Sequence, residues 1–273
     1  MDGESRARIE RRPVTRVTGR SRVQEVDSVA VERALEMRLD GRALSVTLRT
    51  PGRDEELVLG FLANEGLLTK RTDVATMSGR EAACADEPDV LDVVLTPGVI
   101  VDWTRLERNF ATTSACGLCG RAHLEALRTG LTPITSVAPL ETARVLALPE
   151  RVRSAQVTFE ATGGLHAAVW CDAALEPQVL REDVGRHNAV DKVCGWLLER
   201  GKRPAGEGVL WVSGRAGAEL VLKAARSGIP TLASVGAPSS LAVHLAEAAG
   251  MTLIGFLRDG RMNVYSGENR LDA

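Results

Sequence analysis

The chain has 273 residues, 44% of them hydrophobic and 26% charged, with a formal net charge of −2 and few aromatic residues (four Trp, four Phe, one Tyr). That balance predicts a globular protein with a real core. It argues against a nucleic-acid partner, having neither a basic field nor stacking platforms, and against a membrane span, because no apolar run approaches about 20 residues.

Residues 1–22 carry seven arginines, little apolar periodicity and no apolar stretch of the secretory kind, so they are expected to be a solvated, disordered tail. Five cysteines, an odd number without an export signal, predict a reduced, cytoplasmic setting. Residues 23–110 then read as a small β-rich subdomain. Glu36–Leu39 and Leu44–Leu48, joined at Asp40-Gly41, predict a hairpin, and Leu57, Leu59, Phe61 and Leu62 predict a helix over 54–65. Another strand is expected over 90–95.

From residue 111 to the end the texture becomes α/β. Helices are expected at 121–128, at 149–160 with a left-handed cap at Gly163-Gly164, and at 188–200; strands are expected at 167–170 and 179–181. In the last third, strands at 209–212, 229–235, 251–256 and 263–265 alternate with helices at 218–226 and 240–249. The alternation predicts a mostly parallel sheet flanked by helices, with ligands bound past the carboxyl ends of its strands. Loops 213–217, 236–240 and 256–261 all fall on that rim.

Four stretches can carry chemistry. In Cys116-Gly117-Leu118-Cys119-Gly120 two thiols stand three positions apart, after hydroxyl residues and before a predicted helix, a setting that favours a thiolate. Such a pair can exchange sulfane sulfur, form a disulfide or bind metal; a structural pair fits poorly, because four of the five residues are Cys or Gly. Zinc lacks a second pair of ligands, and the His123-Leu124-Glu125 triplet stands in the wrong order for a zinc deaminase. No metal is therefore expected. Arg181 to Lys192 has seven charged or histidine residues among twelve; it reads equally as a charged loop with a helix cap or as a polar ligand site in which His187 moves a proton.

Ser213-Gly214-Arg215 and Gly236-Ala237-Pro238-Ser239 are small-residue loops of the anion-binding kind, without a Walker A or dinucleotide fingerprint. Finally, Phe256-Leu257-Arg258-Asp259-Gly260-Arg261 sets two arginines, suited to diphosphate, around an aspartate able to accept from a guanine edge; the bland reading is a charged turn.

Together these stretches, with Thr50-Pro51-Gly52, Gly60-Phe61-Leu62, Glu65-Gly66 and Thr162 to Ala168, resemble the FdhD family of formate dehydrogenase accessory sulfurtransferases, in order and spacing from about residue 30 onward. The resemblance implies a cytidine-deaminase-like α/β domain that has lost zinc. It also implies a sulfur carrier that takes sulfur from a cysteine desulfurase as a Cys116 persulfide, with Cys119 as partner. The sulfur would pass to the molybdenum bis(molybdopterin guanine dinucleotide) cofactor that formate dehydrogenase requires. Phe256 to Arg261 match the family's cofactor-contact segment, with Ser213, Gly214, Arg215 and His187 as further candidate contacts. GDP would mimic one nucleotide arm, and the family is expected to be cytoplasmic and dimeric. A dithiol oxidoreductase and a non-catalytic cofactor chaperone are the competing classes.

Overall fold

The computed structural model describes residues 8–84, 87–101, 103, 133–134 and 138–272; Cys116, Cys119, the helix expected at 121–128 and the boundary expected at 110/111 lie outside these. The chain opens on an antiparallel pair, β1 (Ile9–Thr18) and β2 (Ser21–Ala30), in register from Ile9↔Ala30 to Thr18↔Ser21. The expectation of a disordered tail is thus corrected from residue 9 onward. Val14, Val17, Val23, Val26 and Val29 favour extended backbone. They show no alternation because both faces of the hairpin are largely solvated; Val17, Val23 and Val26 are 57%, 52% and 66% exposed. The base is tied down where Arg8 Nε donates to the Pro51 carbonyl at 3.1 Å.

A four-stranded sheet follows, in the order β4-β3-β6-β5, from β3 (Arg33–Leu39), β4 (Arg42–Arg49), β5 (Val74–Arg80) and β6 (Asp89–Leu95). The β3–β4 hairpin turns at Asp40 and Gly41, both at positive φ, as the Asp-Gly signal predicts. Leu35, Met37 and Leu39 alternate onto the face covered by α1 (Asp54–Asn64), where Leu57, Val58 and Leu62 complete the core. Arg49, 2% exposed, is held by both oxygens of Asp54 and by Asp89.

The second sheet has the order β12-β11-β10-β9-β7-β8 and comprises β7 (His166–Cys171), β8 (Pro177–Asp183), β9 (Val209–Val212), β10 (Thr231–Ser234), β11 (Thr252–Arg258) and β12 (Arg261–Ser266). Only the β9–β10 and β10–β11 pairings are parallel; the β7–β8, β7–β9 and β11–β12 pairings are antiparallel. The sheet is therefore mixed rather than mostly parallel. The tight connections 172–176 and 259–260 decide this, since a short turn can join only antiparallel neighbours. On one face α4 (Arg186–Glu199), α5 (Ala218–Arg226) and α6 (Ser240–Ala248) bury Leu210, Val212 and Leu232; on the other, α2 (Thr142–Arg153) buries Val209, Trp211 and Ile254.

In place of one helix over 149–160 there are two, α2 and α3 (Val157–Thr162). Pro149 lies inside α2, whose Val145, Leu148 and Val152 stripe docks on the sheet and outweighs the proline's preference for a first turn. Gly163 caps α3 in the left-handed conformation, as expected. Helices α1 and α4 pack closely and join the two sheets, with Leu198 of α4 in the α1 core. No helix among the described residues is long and apolar enough to cross a membrane.

Candidate functional site

Because β7 is antiparallel to both β8 and β9, strands β8 to β11 all run the same way. Their carboxyl ends share one rim, joined there by the first residues of β7 and β12. The three loops expected on it are wired together through the backbone. Gly236 N–H donates to Gly214 O at 3.0 Å, Ser239 N–H to Ala216 O at 3.1 Å, and Phe256 N–H to Gly236 O at 3.1 Å. That closeness is why Gly236 and Gly255 lack side chains: a Cβ on Gly236 would sit 3.0 Å from Gly214 O, and one on Gly255 2.8 Å from Pro238 Cδ.

The predicted contact residues are placed unevenly. Ser213 Oγ accepts from Ala167 N–H at 2.9 Å and so holds β7, while Arg215 stays exposed. A bulge between Gly255 and Arg258 puts Phe256 at φ +52, an unusual conformation for a bulky side chain and one often found where a residue is aimed at a ligand. Leu257 is fully buried in the core against α2, so it belongs to the scaffold and not to the contact surface. Arg258, Asp259, Gly260 and Arg261 form the exposed turn, where the Arg258–Asp259 pair at 3.9 Å is a weak surface contact.

Most of the Arg181–Lys192 stretch proves to be scaffold. Arg181 makes a bidentate pair with Glu56, and Glu182 caps α3 by accepting from the N–H groups of Thr158 (3.0 Å) and Phe159 (2.7 Å). Asp183 and Lys192, 0% and 1% exposed, pair at 2.7 Å, and both also bind the backbone of Thr50. Asp191 is held by Lys223 and Asn64. Replacing Lys192 by methionine is expected to cost about 3–5 kcal/mol in urea unfolding, because Asp183 would be left as an uncompensated buried charge. Adding Asp183→Asn should recover part of that loss; a single Lys192→Met within about 1 kcal/mol of wild type would refute the account.

Arg186 and His187 remain for the rim. His187 Nε2 lies 3.0 Å from Glu219 Oε2, on the helix that follows loop 213–217. Burial pulls the pKa of His187 below its ordinary value, against the opposing pull of Glu219. His166, at the start of β7, is a rim residue that the sequence marked only as part of the Thr162 to Ala168 match and not as a site residue; the strand register places it on the rim. Among the described residues no group of three or more His, Cys, Asp or Glu could hold a metal. Of the described cysteines, Cys171 and Cys194 are buried and Cys84 is exposed.

The family model described as the FdhD/NarQ family matches residues 30–272. The chain belongs to that family. It is 47% identical over 266 residues to the sulfur carrier protein FdhD of Mycolicibacterium paratuberculosis, covering 96% of this chain and 98% of that one. Against the Nocardia farcinica protein of the same name, the identity is 49% over 268 residues, covering 96% and 94%. The structure also resembles that of a Desulfotalea psychrophila protein assigned as a formate dehydrogenase accessory protein, with a TM-score of 0.75 and 25% identity over 97% of this chain and 99% of that one.

Proposed function

We propose that the protein is a sulfurtransferase: it accepts sulfur from a cysteine desulfurase as a persulfide on Cys116 and passes it to the molybdenum bis(molybdopterin guanine dinucleotide) cofactor destined for formate dehydrogenase. The reading rests on family membership across residues 30–272 together with the Cys116-Gly117-Leu118-Cys119 pair in this chain. In this reading residues 111–273 form a cytidine-deaminase-like unit, and the protein works as a cytoplasmic homodimer with formate dehydrogenase as client. The molybdenum cofactor is substrate here, and GDP stands for one of its arms.

The chemistry suits a thiol pair. The terminal sulfur of a persulfide is acidic and nucleophilic, so it can attack or ligate the metal without a separate base. Alternatively, the Cys119 thiolate attacks the Cys116 sulfur. A Cys116–Cys119 disulfide then forms, the bond to the terminal sulfur breaks, and that sulfur leaves reduced as hydrosulfide. Wired loops on one rim, two of them opening helices, suit a substrate with two diphosphate arms better than they suit a simple thiol reductase.

Incubation with a cysteine desulfurase and cysteine should add about 32 Da per sulfur atom to the intact protein, reversibly with thiol reductant. No mass gain would leave a cofactor chaperone as the better description. GDP should bind more tightly than ADP, with Arg261→Ala weakening it by about 1.5–3 kcal/mol through loss of a charged hydrogen bond to diphosphate. Equal calorimetric affinities for GDP and ADP would remove Asp259 as the guanine acceptor.

A further inference from the structure

We propose that His166 and Arg186, converging on the backbone of Gly214, form a phosphoryl-oxygen subsite at the β7–β8 end of the rim. The proposal deepens the reading above, on which the identity of the phosphate-bearing ligand rests. His166 is the first residue of β7 and is in register with Asp183, the last of β8; Arg186 opens α4 directly after it. Gly214 lies between them. A Cβ there would stand 3.4 Å from His166 Nδ1 and 3.8 Å from Arg186 Cδ, so the missing side chain leaves room where the two side chains meet.

Arg186 is the residue that asks for a ligand. Its Nε is buried without a hydrogen-bond partner, which is costly for a charged donor. The neighbouring carboxylates are already committed: Glu182 to α3, Asp183 to Lys192 and the N–H groups of Thr50 and Gly185, and Glu219 to His187. The N-cap of the fourteen-residue α4 is Gly185, which offers no capping side chain, so the helix end adds its own preference for an anion.

His166 makes binding sensitive to pH. Burial, then the charge of Arg186 on α4, hold its pKa below the ordinary value, with Asp183 on β8 opposing. Loop 213–214 brings no charge to it. Near neutral pH the free imidazole is therefore mostly neutral. A phosphate placed beside it favours the imidazolium, so binding takes up a proton, and affinity falls as pH rises.

Calorimetry in buffers of different ionisation enthalpy, between about pH 6.5 and 8.5, tests this on the full chain with GDP, pyrophosphate and guanosine. GDP and pyrophosphate should bind with uptake of up to about one proton, and guanosine with none. His166→Gln should lose the imidazole's part of the proton uptake that wild type shows with the same ligand, leaving only the pH dependence of the phosphate's own titration. Arg186→Gln should weaken GDP and pyrophosphate about ten- to a hundredfold, and Arg186→Lys should recover part of this. GDP binding unaltered in both His166→Gln and Arg186→Gln would overturn the subsite and leave the sulfur-transfer reading standing. Pyrophosphate binding without GDP binding would uphold the subsite and sink the nucleotide part of that reading. If wild type binds neither, the subsite is refuted.

Discussion

Replacing Cys116 by alanine is expected to abolish desulfurase-dependent sulfur loading and the activation of formate dehydrogenase that depends on it. The structure shows why two of the other cysteines cannot take over. Cys171 is 0% exposed, and burial pushes its thiol up to about 12. Its thiolate fraction near neutral pH is then on the order of one in 10⁵, too small for a nucleophile. Cys194 is likewise 0% exposed, with burial raising its pKa. Cys84 is exposed and is the control: Cys84→Ser should load and deliver sulfur as wild type does. Circular dichroism separates lost chemistry from lost fold. A correctly folded Cys116→Ala protein that still gains sulfur, or still activates formate dehydrogenase in cells, would end the carrier assignment.

Alanine at either Gly60 or Gly195 is expected to cost about 3 kcal/mol or more, a large part of a typical stability of 5–15 kcal/mol. These glycines sit where α1 and α4 touch backbone to backbone. A Cβ on Gly60 would lie 1.8 Å from the carbonyl oxygen of Asp191, and one on Gly195 would lie 1.8 Å from that of Glu56. Both obstacles are main chain, so no side chain can swing aside and the helices must part. Helix propensity argues the other way, since alanine is favoured over glycine by about 1 kcal/mol in a helix interior. The sign of the result therefore decides. Urea unfolding with either variant as stable as wild type would show that the crossing is looser than described. The consequence reaches the rim: α4 carries Arg186 and His187 at its first turn, so a displaced α4 should weaken GDP binding as well.

Local signals were enough for several elements. The Asp40-Gly41 turn, the apolar spacing of 54–65 and the strand–loop–helix repeats from 209 onward are short-range patterns, and those elements stand within a few residues of where they were expected. The small-residue loops and the Phe256–Arg261 turn were visible for the same reason: backbone close approach demands particular residues nearby in sequence. The cysteine pair was equally plain as a motif, though its placement lies outside the described residues.

Other features depended on partners far along the chain. The hairpin at 9–30 leaves its valines on solvated faces, so no alternation marked it. Whether Arg181 to Lys192 was scaffold or site could not be read from its charges. Glu56, Thr50, Thr158 and Lys223, up to 142 residues away, neutralise or cap most of them. Leu257 looked like its neighbours in the Phe256–Arg261 stretch until strand pairing turned it into the core. The sequence alone determined the family, the presence of the thiol pair and the local elements, because these rest on residue type and short spacing. Tertiary structure alone decided the mixed sheet, the commitment of the buried carboxylates and the meeting of His166, Arg186 and Gly214, because those follow from strand register and helix packing between distant segments.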